Sequence, residues 1–286
     1  MKKALLVGIN KYSDSPLRGC VNDCLLMYKI LTDKFSFDAK NINLITDYEC
    51  TKENILQNLY FLTSNLKYGD SIYFHYSGHG SQVVVNDWTQ SNEADGLDEI
   101  ICPIDLDWND PLRDNKLNDI FNKIPLGVNS TVVLDCCHSG TGLRNSPTIN
   151  GSNQDMVNRF YPPPPSNILT NPKITIDENL GFVMPKFDKR DIRTKKNAFL
   201  NTTTKQGNTI LISGCQENQV SADAWIGGRY HGALTYTMVE ILHQNNYRMN
   251  YNSLVKAINE KLDLTGFSQN PQLECKKKYF NQPFFF

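Results

Sequence analysis

Two short runs constrain the fold of this chain more than anything else in it. Ser71–Ile72–Tyr73–Phe74–His75–Tyr76 and Thr131–Val132–Val133–Leu134 are apolar stretches of strand length, and each stops abruptly on small and polar residues. The first runs into Ser77–Gly78–His79–Gly80, the second into Asp135–Cys136–Cys137–His138–Ser139–Gly140. As neighbouring strands of a parallel sheet they place His79 and Cys137 together just past their carboxyl ends, where open α/β sheets build their sites.

That pairing has chemical meaning. Free cysteine is mostly protonated at neutral pH and the thiolate is the attacking species, so a nucleophilic thiol needs a base beside it. Gly78 and Gly80 leave room for a substrate backbone, and the amides of Gly80 and Cys137 are the expected donors to an oxyanion. Taken singly, a Cys ending a buried strand is usually a small inert hydrophobe and a His beyond a strand a satisfied loop residue. The two together, flanked by glycines and carboxylates, favour catalysis. A zinc site on Cys136, Cys137 and His138 is a poor competitor, because adjacent residues on an extended chain point apart and no second ligand pair has metal spacing.

The rest of the chain reads as alternating strands and helices. Strands are expected at Ala4–Val7, Ile42–Ile45, Glu99–Pro103 and Thr209–Ile212; helices at Asp23–Phe35, from Thr51 through Leu62, Leu117–Ile124, Gly232–His243 and Ser253–Leu262. This predicts an α/β fold, a mostly parallel central sheet flanked by helices on both faces. At 286 residues and 40% hydrophobic composition the chain suffices for one such domain. Between Thr141 and Gly207 the signal changes to four consecutive prolines, Pro162 to Pro165, polar clusters and a basic run, the pattern of an irregular insertion. The apolar end, Pro283–Phe284–Phe285–Phe286, is expected to pack against the body. A net charge of −1 argues against a nucleic-acid surface, and no run of about 18 apolar residues reads as a membrane span. Eight irregularly spaced cysteines without a leading signal segment suit a reduced, cytoplasmic setting.

Five blocks resemble the caspase-like cysteine peptidases, and within them the metacaspases: Val7–Tyr12, Leu17–Asp23, Tyr76–Gln82, Asp135–Thr141 and Ser213–Asp223, in the family's order along nearly the whole chain. The resemblance implies a caspase-like fold with a large-subunit-like region over 1–145, an insertion or linker over 146–206 and a small-subunit-like region over 207–286. It also implies that Cys137, the second of the cysteine pair, is the nucleophile and His79 its base.

Asp135 lies two residues before Cys137, so period-two alternation puts both side chains on one face of the strand end, where a carboxylate selects a cationic residue before the cut (P1). The resemblance adds Cys20, Asp23 and Ser77 to this S1 pocket; on its own Asp23 reads as a helix-start residue. Many metacaspases require calcium, and the corresponding positions fall on Asp98, Asp114, Asn115 and Arg144. Only Asp98 and Asp114 are acids, so no cofactor is expected to be required. Lys186, Lys189, Arg190, Arg193, Lys195 and Lys196 form the expected self-cleavage segment. The whole reads as a monomeric cysteine endopeptidase that cuts peptide and protein substrates after Arg or Lys. The competing readings are a non-catalytic scaffold of the same fold and a Cys-His acyltransferase or amidase.

Overall fold

The structure is a computed structural model and describes residues 1–84, 97–138, 156–164, 175–177, 181–183, 208–216 and 219–285. The first half runs β1 (Lys2–Gly8), α1 (Cys20–Asp33), β2 (Ile42–Thr46), α2 (Lys52–Thr63), β3 (Ser71–Ser77), β4 (Gly80–Val84), β5 (Leu97–Ile101), β6 (Leu112–Arg113), α3 (Asp114–Phe121) and β7 (Asn129–Asp135). The second half has β8 (Met156–Asn158), β9 (Thr175–Asp177), β10 (Gly181–Val183), β11 (Thr209–Ser213), β12 (Ala222–Ile226), β13 (Arg229–Gly232), α4 (Ala233–Gln244), α5 (Tyr251–Leu264) and β14 (Gln272–Glu274).

The central sheet has the order β14-β11-β7-β3-β1-β2, parallel throughout except for the edge pair β11–β14. Strand alternation sends Leu5, Val7, Phe74, Val132 and Leu134 to one face, where they meet Ile55 and Leu59 of α2 and Leu117 and Phe121 of α3. Ala4, Leu6, Tyr73, Val133 and Ile210 face the other way, onto Met27 and Leu31 of α1, Leu234 and Met238 of α4 and Leu254 and Ile258 of α5. Every residue of β3 is buried. Coverage on both faces is the reason these strands read as continuous apolar runs rather than as alternating ones. The C-terminal Phe284 is buried against Phe35, Tyr251 and Phe285, as its composition predicts.

Two small antiparallel sheets, β4-β5-β6 and β13-β12-β8, flank the carboxyl edge of the main one. Within the stretch expected as an irregular insertion, 146–206, Met156–Asn158 is a strand paired with β12, and Thr175–Asp177 pairs with Gly181–Val183. The helix expected from Asp23 begins at Cys20, and that expected from Leu117 begins at Asp114.

Candidate active site

The register of β3 on β7 ends with Ser77 opposite Asp135, so His79 and Cys137 are each the second residue beyond the same rung. The two exits touch: a Cβ at Gly80 would lie 2.2 Å from the Cys137 carbonyl oxygen, a spacing only glycine tolerates.

His79 is fixed from both sides. Its amide donates to Tyr12 Oη at 3.1 Å and its carbonyl accepts from Tyr76 Oη at 2.6 Å. Its Nε2 lies 2.7 Å from the Ser15 carbonyl oxygen. A carbonyl only accepts, so Nε2 carries the proton and Nδ1 keeps its lone pair. Nδ1 is buried with no hydrogen-bond partner. Burial lowers the imidazole to about 4 although the Ser15 hydrogen bond acts to raise it, so the ring is a neutral base at pH 7.

Cys137 is fully buried, and its Sγ accepts from the amide of Ser221. Cys136 joins the core with Leu134, and its Sγ lies 3.5 Å from His138 Nε2. Burial pushes the Cys136 thiol well up, which makes it unreactive. The amides of Gly80 and Cys137 converge on one acceptor, the carbonyl oxygen of Arg159, at 3.1 and 3.2 Å. These are the two donors expected from the sequence, aimed at a single point.

The Arg159 side chain, fully buried, fills the pocket beside them. Its Nη2 lies 2.8 Å from Asp23 Oδ2 and 2.9 Å from Asp223 Oδ1; its Nη1 lies 2.7 Å from Ser77 Oγ and 3.3 Å from Asp135 Oδ1. The carboxylates are themselves held. Asp23 accepts from the Gly232 amide and pairs with His231 Nδ1 at 3.0 Å, while Asp135 Oδ2 accepts from the Thr235 amide at 2.9 Å and its hydroxyl at 2.6 Å. Asp223 accepts from the amides of Arg18 at 2.7 Å and Gly19 at 2.9 Å. These bonds hold the turn that leads into α1, while Asn10 Oδ1 accepts from the Cys20 amide at 2.9 Å, so the helix starts at Cys20 with no side-chain cap at Gly19. Asp23 therefore faces the pocket and does not cap the helix. Cys20, also buried, lies one turn earlier on α1, and burial pushes its thiol well up. A Cβ at Gly232 would lie 2.2 Å from Asp135 Oδ2 and 2.3 Å from Arg159 Nη1, so the pocket wall there is bare backbone.

Three of the four pocket residues expected from the sequence, Asp23, Ser77 and Asp135, thus contact one cation, and Cys20 is buried on the same helix as Asp23. Asp223, Gly232, Thr235 and Arg159 were not anticipated as site residues. Asp223 stood at the end of a recognised block without a role. The expected self-cleavage residues, Lys186, Lys189, Arg190, Arg193, Lys195 and Lys196, lie outside the described residues.

Asp98 is paired with Arg113, across β5 and β6, and Asp114 is buried in the first turn of α3; Arg144 lies outside the described residues. Among the described residues no three His, Cys, Asp or Glu side chains group as a metal site. An Asp98 already neutralised by a guanidinium does not fit a calcium site, which needs several unengaged oxygen ligands.

Three buried histidines tie stability to pH. Burial lowers His75, His79 and His138 to about 4, against about 6.5 in the unfolded chain. Between these values the unfolded state binds more protons, so stability is full above about pH 6.5 and falls as pH drops toward 4, by on the order of 3 kcal/mol per histidine at most. Urea midpoints are expected to stay level from pH 7.5 to about 6.5 and then to fall toward pH 4.5; a profile flat over the whole range contradicts this.

The fold and the arrangement of thiol, imidazole and converging amides define a class, the caspase-like α/β proteins with a cysteine-peptidase type of site. A profile described as the metacaspase, peptidase C14 domain matches residues 2–146. The chain belongs to the metacaspase family of cysteine peptidases. It is 32% identical over 302 residues to metacaspase-1A of Aspergillus fumigatus, covering 96% of this chain and 68% of that one. With metacaspase-1 of Schizosaccharomyces pombe it shares 29% identity over 303 residues, covering 96% and 67%. A crystal structure of a Geobacter sulfurreducens protein superposes with a TM-score of 0.67 at 26% identity, covering 99% of this chain and 98% of that one. No helix among the described residues is long and apolar enough to cross a membrane.

Proposed function

We propose that this cysteine peptidase is an endopeptidase that cuts after Arg or Lys, with Cys137 as nucleophile, His79 as base and acid, and self-processing as one of its reactions. The observation that carries this reading is the seating of Arg159, with its carbonyl oxygen on two amides and its guanidinium among three carboxylates. A substrate in that position has its carbonyl polarised where the oxyanion will form. His79 Nδ1 takes the thiol proton, the thiolate adds to the carbonyl carbon, and the leaving amine receives the proton as the peptide bond breaks. Water, activated by the same nitrogen, then hydrolyses the thioester.

The pocket supports a preference for Arg over Lys. Asp23 and Asp223 grip one terminal nitrogen of the planar fork while Ser77 and Asp135 grip the other, a pattern a single ammonium cannot reproduce. A panel of fluorogenic peptides differing only at P1 is expected to give kcat/KM in the order Arg, then Lys, with Asp not cut. Preference for Asp overturns the reading.

Activity is expected to persist in excess chelator, because Asp98 already holds Arg113. Loss of cleavage in chelator, restored by micromolar calcium, contradicts this. The eight free cysteines support a reducing, cytoplasmic setting.

A further inference from the structure

We propose that Met156–Tyr161 is a built-in substrate, and that the Arg159–Phe160 peptide bond is the first bond this enzyme breaks. The inference rests on the roles given above to Cys137 and His79, and it assigns a processing site to a segment in which the sequence alone points elsewhere, to the basic run near 190.

The segment is held as a bound peptide on both sides of that bond. Before it, β8 adds antiparallel to β12, with Met156 opposite Ala224, Val157 opposite Asp223 and Asn158 opposite Ala222, the way extended peptides dock on a sheet edge. The Arg159 amide continues this ladder by donating to the Ser221 carbonyl at 3.0 Å, and the Ser221 amide donates to the Cys137 thiol. One residue of the cleft wall therefore holds both the nucleophile and the backbone of the residue to be attacked. At the bond itself, the Arg159 carbonyl oxygen sits on the Gly80 and Cys137 amides. Beyond it, Phe160 forms a parallel bridge with Gly80, the Tyr161 amide donates to the Gly80 carbonyl at 2.9 Å, and Ser81 Oγ donates to the Tyr161 carbonyl at 2.6 Å. The Tyr161 ring packs on His79 at 5.3 Å and near Trp108 at 6.0 Å between centroids. A counter-ion serving only to neutralise the buried carboxylates needs its guanidinium in the pocket. It does not need its carbonyl on two amides beside a thiol, nor an extended chain paired in both directions.

In the step itself, the Cys137 thiolate adds to the Arg159 carbonyl carbon and the carbonyl electron pair moves to oxygen, held by the two amides. As it returns, the Arg159 C–N bond breaks and the Phe160 nitrogen takes the proton from His79. Water then cleaves the Arg159 thioester, leaving an Arg159 carboxylate, a Phe160 amine and the free thiol. Until then the cleft is occupied, so outside peptides are cut only after a lag.

The test follows the purified full chain by intact mass and N-terminal sequencing, with cleavage of an Arg fluorogenic peptide measured in parallel. The expected result is a new N-terminus at Phe160 that accumulates at a rate independent of protein concentration and is absent from Cys137→Ala, with the peptide rate rising as it accumulates. Arg159→Lys, which keeps a cation in the pocket and so protects the fold, is expected to slow the cut at least tenfold. Immediate peptide cleavage while Arg159–Phe160 stays intact overturns the internal-substrate proposal and leaves the peptidase reading standing, as does a first cut between 186 and 196. A chain that cuts neither itself nor the peptide overturns both.

Discussion

Cys137→Ala is expected to abolish peptide cleavage, lowering kcat by roughly four to six orders of magnitude, and His79→Ala by about two to four. The asymmetry follows from the chemistry. Without the thiol no acyl-enzyme forms, whereas without the imidazole the thiol still reaches its carbonyl but is seldom ionised. Cys136→Ala, one residue away, is expected to keep most of the activity, because that side chain is buried in the core beside His138 and burial holds its thiol protonated. Steady-state rates on an Arg peptide for the three variants, with melting temperatures to confirm folding, provide the check. Activity surviving in Cys137→Ala, or lost equally in Cys136→Ala, contradicts the assignment.

Asp135→Asn is expected to cost about 2–5 kcal/mol in kcat/KM toward Arg peptides, roughly thirtyfold to several thousandfold. The substitution is nearly isosteric. The amide oxygen can still accept from the Thr235 amide and hydroxyl, which now hold Oδ2, so the local fold is retained while one charge leaves the pocket. The cost is large because the guanidinium there is fully desolvated and its remaining partners cannot compensate. Asp223→Asn should weaken Arg substrates similarly and also loosen the start of α1, through the Arg18 and Gly19 amides. A melting temperature lowered for Asp223→Asn but not for Asp135→Asn is the accompanying signature.

The carboxyl edge of the sheet was legible because its determinants are local. Runs buried on both faces, such as Ser71–Ser77, announce themselves as strands, and the register of β3 on β7 then sets His79 and Cys137 each two residues past one rung. Gly80 and Cys137 could be named as amide donors from position alone. What the sequence hid depends on distant partners. α1 starts three residues early because the turn leading into it is held by partners outside the helix: Asp223, some 200 residues away, accepts from the Gly19 amide, and Asn10 Oδ1 accepts from the Cys20 amide. β8 has only three residues, in a proline- and asparagine-rich stretch, and exists because β12 offers it an edge. Arg159 carries no local signal for the same reason. Local charge density points to the run near 190, whereas a seat in a pocket is a property of three carboxylates from three separate elements.

The most direct measurement is covalent trapping. The active full chain is treated with a peptide chloromethyl ketone ending in Arg, and the adduct is located by mass spectrometry of its fragments, beside the same reagent ending in Asp. The account predicts one Arg-reagent adduct, on Cys137 alone, with loss of peptidase activity in proportion to labelling and none from the Asp reagent. An adduct on another cysteine accompanying the loss of activity, or equal labelling by the Asp reagent, would contradict it.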